Sequence, residues 1–202
     1  MAASPHPEQR MDVSCDDAEE HRLVDAAARG DAGAFTQLFH RYYSMIHAYA
    51  YRFTLSNFDA EDIAQETFVK AARSLHTFRG ESTFKSWLYR IAINASRDWG
   101  RLKAKRTRLD DALKSGEIEE APHMAKAWAN AGVNDGADDR VAAALASLPE
   151  EQRRAVILVY YDGMNHAEAA RLLGCAETTL SWRIFKAKRK LKAVLSRKEA
   201  RP

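Results

Sequence analysis

The chain has too few cysteines for a disulfide framework. Cys15 lies in a polar N-terminal stretch and Cys175 in a helical region, so no bridge is expected and a reducing cytoplasm is the natural compartment. Only 5 prolines and 9 glycines punctuate 202 residues, which leaves long segments free to run as helix. No strand-like alternation of apolar and polar residues is sustained anywhere. No apolar run approaches the roughly 18 residues of a membrane span, so no membrane insertion is expected. The opening "MAASPHPEQRMDVSCDD" has no apolar core, so no signal peptide is expected either. The histidines are scattered, with no pair at metal-ligand spacing, and neither a metal nor any other cofactor is expected.

What is present is charge, laid out in blocks. Net charge is only +3, but the first twenty residues are acidic and Arg97–Arg108 ("RDWGRLKAKRTR") is basic. Asp110–Asp139 turns acidic again, and the stretch from Arg183 is the most basic of all. Two separated basic blocks suggest contact with a polyanion at two places.

The periodicity predicts an all-α chain of two small helical domains. Residues 1–18 read as a disordered acidic tail. Residues 19–105 carry four helices with short connections. The second has Phe35, Leu38, Phe39, Tyr42, Ile46 and Tyr49 at three-and-four spacing. The third, "NFDAEDIAQETFVKAARSL", concentrates its acids in the first turns, where the helix dipole favours them. The loop "HTFRGEST" hinges at Gly80, and Ser82 or Thr83 caps a fourth helix from Phe84 to Lys105. Residues 106–139 have no sustained period and read as a flexible linker. Residues 140–196 form the second domain, and 197–202 a basic tail. Pro149 opens one of its helices, Gly163 ends it, and Asn165 with Glu168 makes a capping-box pattern before "HAEAARLLG".

That short helix, a turn at Gly174, and "TTLSWRIFKAKRKL" form a helix-turn-helix pattern. Leu180, Ile184, Ala187 and Leu191 share one face of the last helix. Trp182 points nearly opposite, beside Thr178, Lys186 and Arg189. A large aromatic on a wet, cationic face makes sense if that face meets base edges or a thymine methyl. Thr178, Thr179 and Trp182 are therefore candidate readers, and Arg183, Lys186, Lys188, Arg189 and Lys190 candidate phosphate holders. Ala176 stands where a Ser or Thr would cap this helix, a loss of roughly 0.5–2 kcal/mol that Glu177 partly offsets.

In the first domain, Phe84, Leu88, Ile91 and Ala95 form the inner stripe of the fourth helix, flanked by Trp87 and Trp99. Tyr89 and Ile93 are expected to pack on the preceding helices. Arg90, Asn94 and Arg97, next to the loop His76–Thr83, suit single-stranded nucleic acid: cations track the backbone while bases stack or flip.

Together, "DAEDIAQETFVKAARSLHTFRGESTFKSWLYRIAINASRDW" and "LPEEQRRAVILVYYDGMNHAEAARLLGCAETTLSWRIFKAKRKL" closely resemble bacterial sigma-70-type sigma factors, more narrowly the extracytoplasmic-function group. The resemblance covers roughly Leu23 to Leu195 apart from the linker. It implies a transcription initiation factor, not an enzyme, that binds core RNA polymerase and promoter DNA and serves a stress or envelope-signal response. It places Glu61, Asp62, Gln65 and Glu66 on the polymerase, with Ile63 and Phe68 buried. It places His76, Thr77, Arg79, Ser82, Lys85, Arg90, Asn94 and Arg97 on the −10 strand. It places Thr178, Thr179, Ser181, Trp182, Arg183, Lys186 and Arg189 on the −35 element. The acidic linker would thread a basic channel of the polymerase. Many relatives are held by an anti-sigma factor, so such a partner is expected. Where many relatives carry a basic residue followed by serine, this chain has Ser181–Trp182, so their −35 sequence does not transfer.

Two other classes compete. An operator-binding helix-turn-helix regulator explains the second domain but leaves the acidic and basic-aromatic helices of the first without a purpose. A recombinase-like enzyme needs converging carboxylates, and Asp59, Glu61, Asp62 and Glu66 spread over one helix surface instead.

Overall fold

The computed structural model describes residues 8–114 and 136–199, with side chains described for 17–109 and 141–195. Helix α1 (Glu8–Ala28) leads into α2 (Ala32–Thr54), α3 (Asn57–Ser74), a single 3-10 turn (Leu75–Thr77) and α4 (Phe84–Lys114). The second domain follows as α5 (Gly136–Ala146), α6 (Glu150–Val156) continued by a π-helical turn (Ile157–Tyr161), α7 (His166–Leu173) and α8 (Glu177–Glu199). The all-α expectation holds, and the described residues contain no strand.

Four boundaries differ from the sequence reading. The stretch expected to be a disordered tail is helical from Glu8, because α1 continues upstream of Glu19 without a break. The first nine residues of the expected linker extend α4 to Lys114, since "TRLDDALK" contains no helix breaker. At its other end the expected linker gives up residues 136–139 to the helix Gly136–Ala146, and the last helix, Glu177–Glu199, runs into the expected basic tail; residues 115–135 lie outside the described residues.

Side-chain caps define the element starts. Asp31 accepts from the Gly33 and Ala34 amides (2.8 and 3.0 Å) at the head of α2, and Ser56 from the Asp59 amide (3.2 Å) at the head of α3. Asn165 accepts from the Glu168 amide (2.9 Å) at α7, as the capping-box pattern predicted. Gly174 takes the left-handed conformation (φ 68°) that the tight turn between α7 and α8 requires.

The core of the first domain is the shared inner face of α2, α3 and α4: Leu38, Ile46, Phe53, Ile63, Phe68, Leu75 and Leu88 are all buried. Tyr89 and Ile93 are buried as expected, with Tyr89 edge-on to Tyr49 at 5.7 Å. Helix α1 lies on α2, where the Tyr42 hydroxyl donates to the Glu20 carboxylate.

The domains do not sit apart. Ala155, Ile157, Leu158 and Met164 join the apolar core that contains Tyr49, Phe53 and Leu88. Arg153 ties them together. Its Nη1 donates to the Phe53 carbonyl at 2.7 Å, while Nε and Nη2 satisfy the Leu145, Ala146 and Leu148 carbonyls at 3.0, 2.9 and 3.2 Å. Those last three carbonyls lie at the end of α5 and just past it, where a helix leaves acceptors short of donors, although the Leu145 carbonyl also accepts from the Leu148 amide at 3.1 Å. Arg154 is also buried, ion-paired to Glu150 and Glu151 at 3.2 and 2.9 Å, with its guanidinium 4.5 Å above the Phe53 ring.

Candidate protein and nucleic-acid interfaces

Helix α3 presents its acids to solvent. Glu61, Asp62, Gln65 and Glu66 are all exposed while Ile63 and Phe68 face inward, the division expected from their spacing. Gln65 donates to Glu61 at 3.4 Å. Glu66 pairs with Lys70 at 3.2 Å, and Lys70 also reaches Asp98 of α4 at 3.3 Å. Arg101 and then Lys70 hold the Asp98 carboxyl below its usual range. At the other end, the Trp99 indole donates to Asp59 at 3.1 Å, and Lys103 lies 4.4 Å over the Trp99 ring. These contacts fix α3 against α4, so the acidic ridge is a rigid surface. Phe58 (75% exposed) and Val69 (44%) share a stripe with Asp62 and Gln65 at steps of four, three and four. The sequence reading missed both, although the same wheel that placed the acids places them.

The loop from His76 to Thr83 projects from the junction of α3 and α4. His76 and Thr77 sit exposed in the 3-10 turn, and Thr77 Oγ1 donates to the Ser74 carbonyl at 2.6 Å. Phe78 anchors the loop by packing on Phe84 and Trp87, with ring centroids 6.0 and 5.4 Å away. Gly80 has φ 71°, and Thr83 caps α4 by accepting from the Ser86 amide at 3.2 Å. Arg79, Lys85, Arg90 and Asn94 are exposed, and Ser82 is partly so. Arg97 departs from this set. Its Nη2 donates to the Leu173 carbonyl at 3.2 Å, so it bridges to α7 instead of standing on the open face.

Helices α7 and α8 form the expected helix-turn-helix. Leu180, Ile184 and Ala187 are buried and Leu191 half-buried. Thr178, Thr179, Ser181, Lys186 and Arg189 are exposed, and so is Trp182 at 56%. Lys186 lies 5.3 Å over the Trp182 ring. Ser181 is steadied by the His166 ring nitrogen at 3.1 Å. Phe185, 56% exposed with Arg189 5.9 Å over its ring, extends the same face one step further, and sequence reasoning passed over it. Two cations turn away from that face. Arg183 pairs with Glu151 of α6 at 3.0 Å and is mostly shielded, and Lys188 lies 4.9 Å over Tyr160. Both follow from helix geometry, since each lies beside the buried seam that docks α8 on α6.

Two family models match this chain: sigma-70 region 2 over residues 38–107 and sigma-70 region 4 over residues 138–191. The chain is a sigma-70 factor of the extracytoplasmic-function group. The RNA polymerase sigma-H factor of Pseudomonas aeruginosa is 33% identical over 174 residues, covering 84% of this chain and 90% of the relative. The extracytoplasmic-function sigma-E factor of Escherichia coli K12 is 32% identical over 170 residues, covering 82% and 88%. Among solved structures, CnrH in complex with the cytosolic domain of CnrY matches with a TM-score of 0.64 at 30% identity, covering 88% of this chain and 97% of that one. RpoE of Bartonella quintana in complex with the anti-sigma factor NepR matches at 0.61 and 26% identity, covering 80% and 96%. This sigma factor is thus a transcription initiation protein that works with core RNA polymerase and promoter DNA, in a family of non-enzymatic regulators. Among the described residues, no helix is long and apolar enough to cross a membrane and no cluster of side chains could hold a metal ion.

Proposed function

We propose a residue-level division of labour for this sigma factor. Glu61, Asp62, Gln65 and Glu66, with Phe58 and Val69 among them, form the surface that docks on the polymerase. The loop His76–Thr83 with Lys85, Arg90 and Asn94 holds the non-template strand of the −10 element. The outer face of α8 reads the −35 element through Thr178, Thr179, Ser181, Trp182 and Phe185, with Lys186 and Arg189 on flanking phosphates. Catalysis belongs to the polymerase, and the cytoplasm, where transcription occurs, is the working compartment.

The observation that carries this reading is the outer face of α8. Trp182 and Phe185 are both more than half exposed on a helix whose opposite face buries Leu180, Ile184 and Ala187. An apolar ring gains from major-groove contact where it meets a thymine methyl or a sugar, and the cations over these rings are placed to reach phosphate. The anti-sigma partners of the neighbouring solved structures support an anti-sigma partner for this chain, released under a stress or envelope signal.

The test is size-exclusion co-elution with bacterial core RNA polymerase at moderate salt, followed by selection of bound promoters from a randomised double-stranded pool. A complex that enriches a two-part motif is expected. Enrichment of an inverted repeat by the free protein would instead establish the operator-binding regulator.

A further inference from the structure

A run of aromatic rings leads from the loop His76–Thr83 back to the first helix. Phe78, near the start of the loop, packs on Phe84 and Trp87, and those two pack on each other at 5.6 Å. Phe84 opens α4 and is buried. It also meets the Tyr42 ring of α2, edge-on at 5.3 Å. Tyr42 is buried in turn, and its hydroxyl donates to the Glu20 carboxylate of α1. Side-chain contacts alone therefore join α1 to the loop, through Glu20, Tyr42, Phe84 and Phe78. A second path reaches the loop's other stem. Helix α1 lies against the 3-10 turn that carries His76 and Thr77, and Val24 of α1 and Leu75 of that turn belong to one apolar core. Both stems of the loop are thus backed by α1.

A phenylalanine at position 42 would fill the same space against Phe84. The hydroxyl adds direction. Burial, and then the hydrogen bond to Glu20, push its proton well above the usual phenol range, so at neutral pH it stays a donor. Contact between apolar rings is non-directional and tolerates sliding, whereas a charge-assisted hydrogen bond fixes distance and angle. This one fixes where the Tyr42 edge stands, and with it the seat of Phe84 and Phe78. The loop has need of such a seat. Between Phe78 and the Thr83 cap, Arg79, Gly80 and Glu81 are all exposed. A loop that must be ordered as the strand arrives loses affinity to that ordering, and a preset loop does not.

We propose that Glu20 and Tyr42 are positioning residues for the −10 strand: α1 is a splint that presets the loop His76–Thr83 without itself touching DNA. The splint acts on one promoter element only. The polymerase-docking acids lie on α3 and the −35 readers on α8, and neither set belongs to the run from Glu20 to Phe78. Loosening the splint therefore costs strand capture and leaves polymerase docking and −35 binding as they were. This inference rests on the −10 assignment under the proposed function.

The test uses the full chain bound to core polymerase, with two fluorescent probes: a single strand carrying the −10 half of the selected motif and a duplex carrying the −35 half. Binding is followed by anisotropy, well below each variant's melting temperature. Tyr42→Phe keeps the ring and loses the donor, Glu20→Ala loses the acceptor, and Glu20→Gln keeps a neutral acceptor. Tyr42→Phe and Glu20→Ala are each expected to weaken strand binding by about tenfold, the equivalent of one hydrogen bond to a charged group, with duplex binding and co-elution unchanged. Glu20→Gln should recover part of the loss, and Glu20→Ala combined with Tyr42→Phe should bind no worse than either alone. Amides of residues 78–83 should exchange faster in the free variants. Unchanged strand binding would overturn the proposal, and so would equal losses for strand and duplex, which mark a merely structural contact. If Tyr42→Phe does not fold, the two Glu20 variants decide. Failure of the wild-type complex to bind the strand while it binds the duplex would overturn the −10 assignment, and the proposal with it.

Discussion

Replacing Arg153 with alanine should be among the most destabilising single changes in this sigma factor. One guanidinium serves four backbone carbonyls: Leu145, Ala146, Leu148 and Phe53. Arg153 is 7% exposed, so little water reaches the site to take over. Hydrogen bonds to a charged group contribute about 1.5–3 kcal/mol each, but the favourable sum is offset by the cost of burying the charge. The loss on truncation is set by the acceptors left behind, at about 1–3 kcal/mol for each buried carbonyl without a partner. The Leu145 carbonyl keeps the Leu148 amide as a donor at 3.1 Å, and taking two of the other three as truly stranded gives about 2–6 kcal/mol. For a chain of this size each kcal/mol lowers the melting temperature by about 2–4 °C, so a fall near 10 °C is expected. Arg153→Met keeps much of the volume and removes the donors, and should fall nearly as far. Arg153→Lys keeps the charge but not the planar fork, and should recover only part of the loss. The assay is thermal unfolding followed by circular dichroism. Melting of Arg153→Ala within about 2 °C of the wild type would refute the reasoning, because it would mean the four carbonyls find other partners at no cost.

Four further outcomes are expected. Burial raises the Asp162 carboxyl to about 6, against the partial opposition of the Tyr89 hydroxyl and of Arg52 and Lys85 facing it, with Tyr49 behind. The form with Asp162 buried therefore binds the proton more tightly than one with it in water, and the packing around it strengthens as pH falls, by about 1 kcal/mol between pH 8 and 5. Hydrogen exchange across α4 and α7 at the two pH values should show it, and Asp162→Asn should abolish the difference. Asp62→Lys reverses an exposed charge on α3 and should abolish co-elution with core polymerase while leaving the melting temperature within about 2 °C. Trp182→Ala should weaken −35 binding by about 1–3 kcal/mol with no loss of stability, and deoxyuridine in place of thymine in the selected element should weaken the wild type but not the variant. Ala176→Ser supplies the missing cap of α8 and should raise second-domain stability by about 1 kcal/mol in thermal unfolding.

Much of the fold was legible because local chemistry dictates it. Asn165, Gly174 and the Leu180–Ile184–Ala187 stripe fix the helix-turn-helix through capping, φ and periodicity, all of which are short-range. The acidic ridge of α3 was readable for the same reason. Arg97, Arg183 and Lys188 were not. A helical wheel separates wet from dry, but it cannot say which wet positions a distant element of the chain will cover. Arg97 and Arg183 each lie about one helical step from truly exposed neighbours, and the carbonyl and carboxylate that engage them come from far along the chain. Arg153 and Arg154 were hidden in the same way. In "EEQRRAVILVYY" they read as the polar side of an amphipathic helix, and only the packed neighbours show both guanidiniums buried.

The buried arginines also bear on why the two domains close at all. An interface built only of leucine and isoleucine would gain from burial wherever the surfaces meet and would specify no single alignment. Arg153 can satisfy the end of α5 and the Phe53 carbonyl only in one relative placement, and Arg97 can reach the Leu173 carbonyl only in the same one. Most of the polar links are individually modest: an ion pair at 3.9 Å, a hydroxyl–carboxylate contact at 3.2 Å, a guanidinium over a tyrosine ring. A seam of this kind is well defined in geometry because its links are met together, not because any one of them is strong.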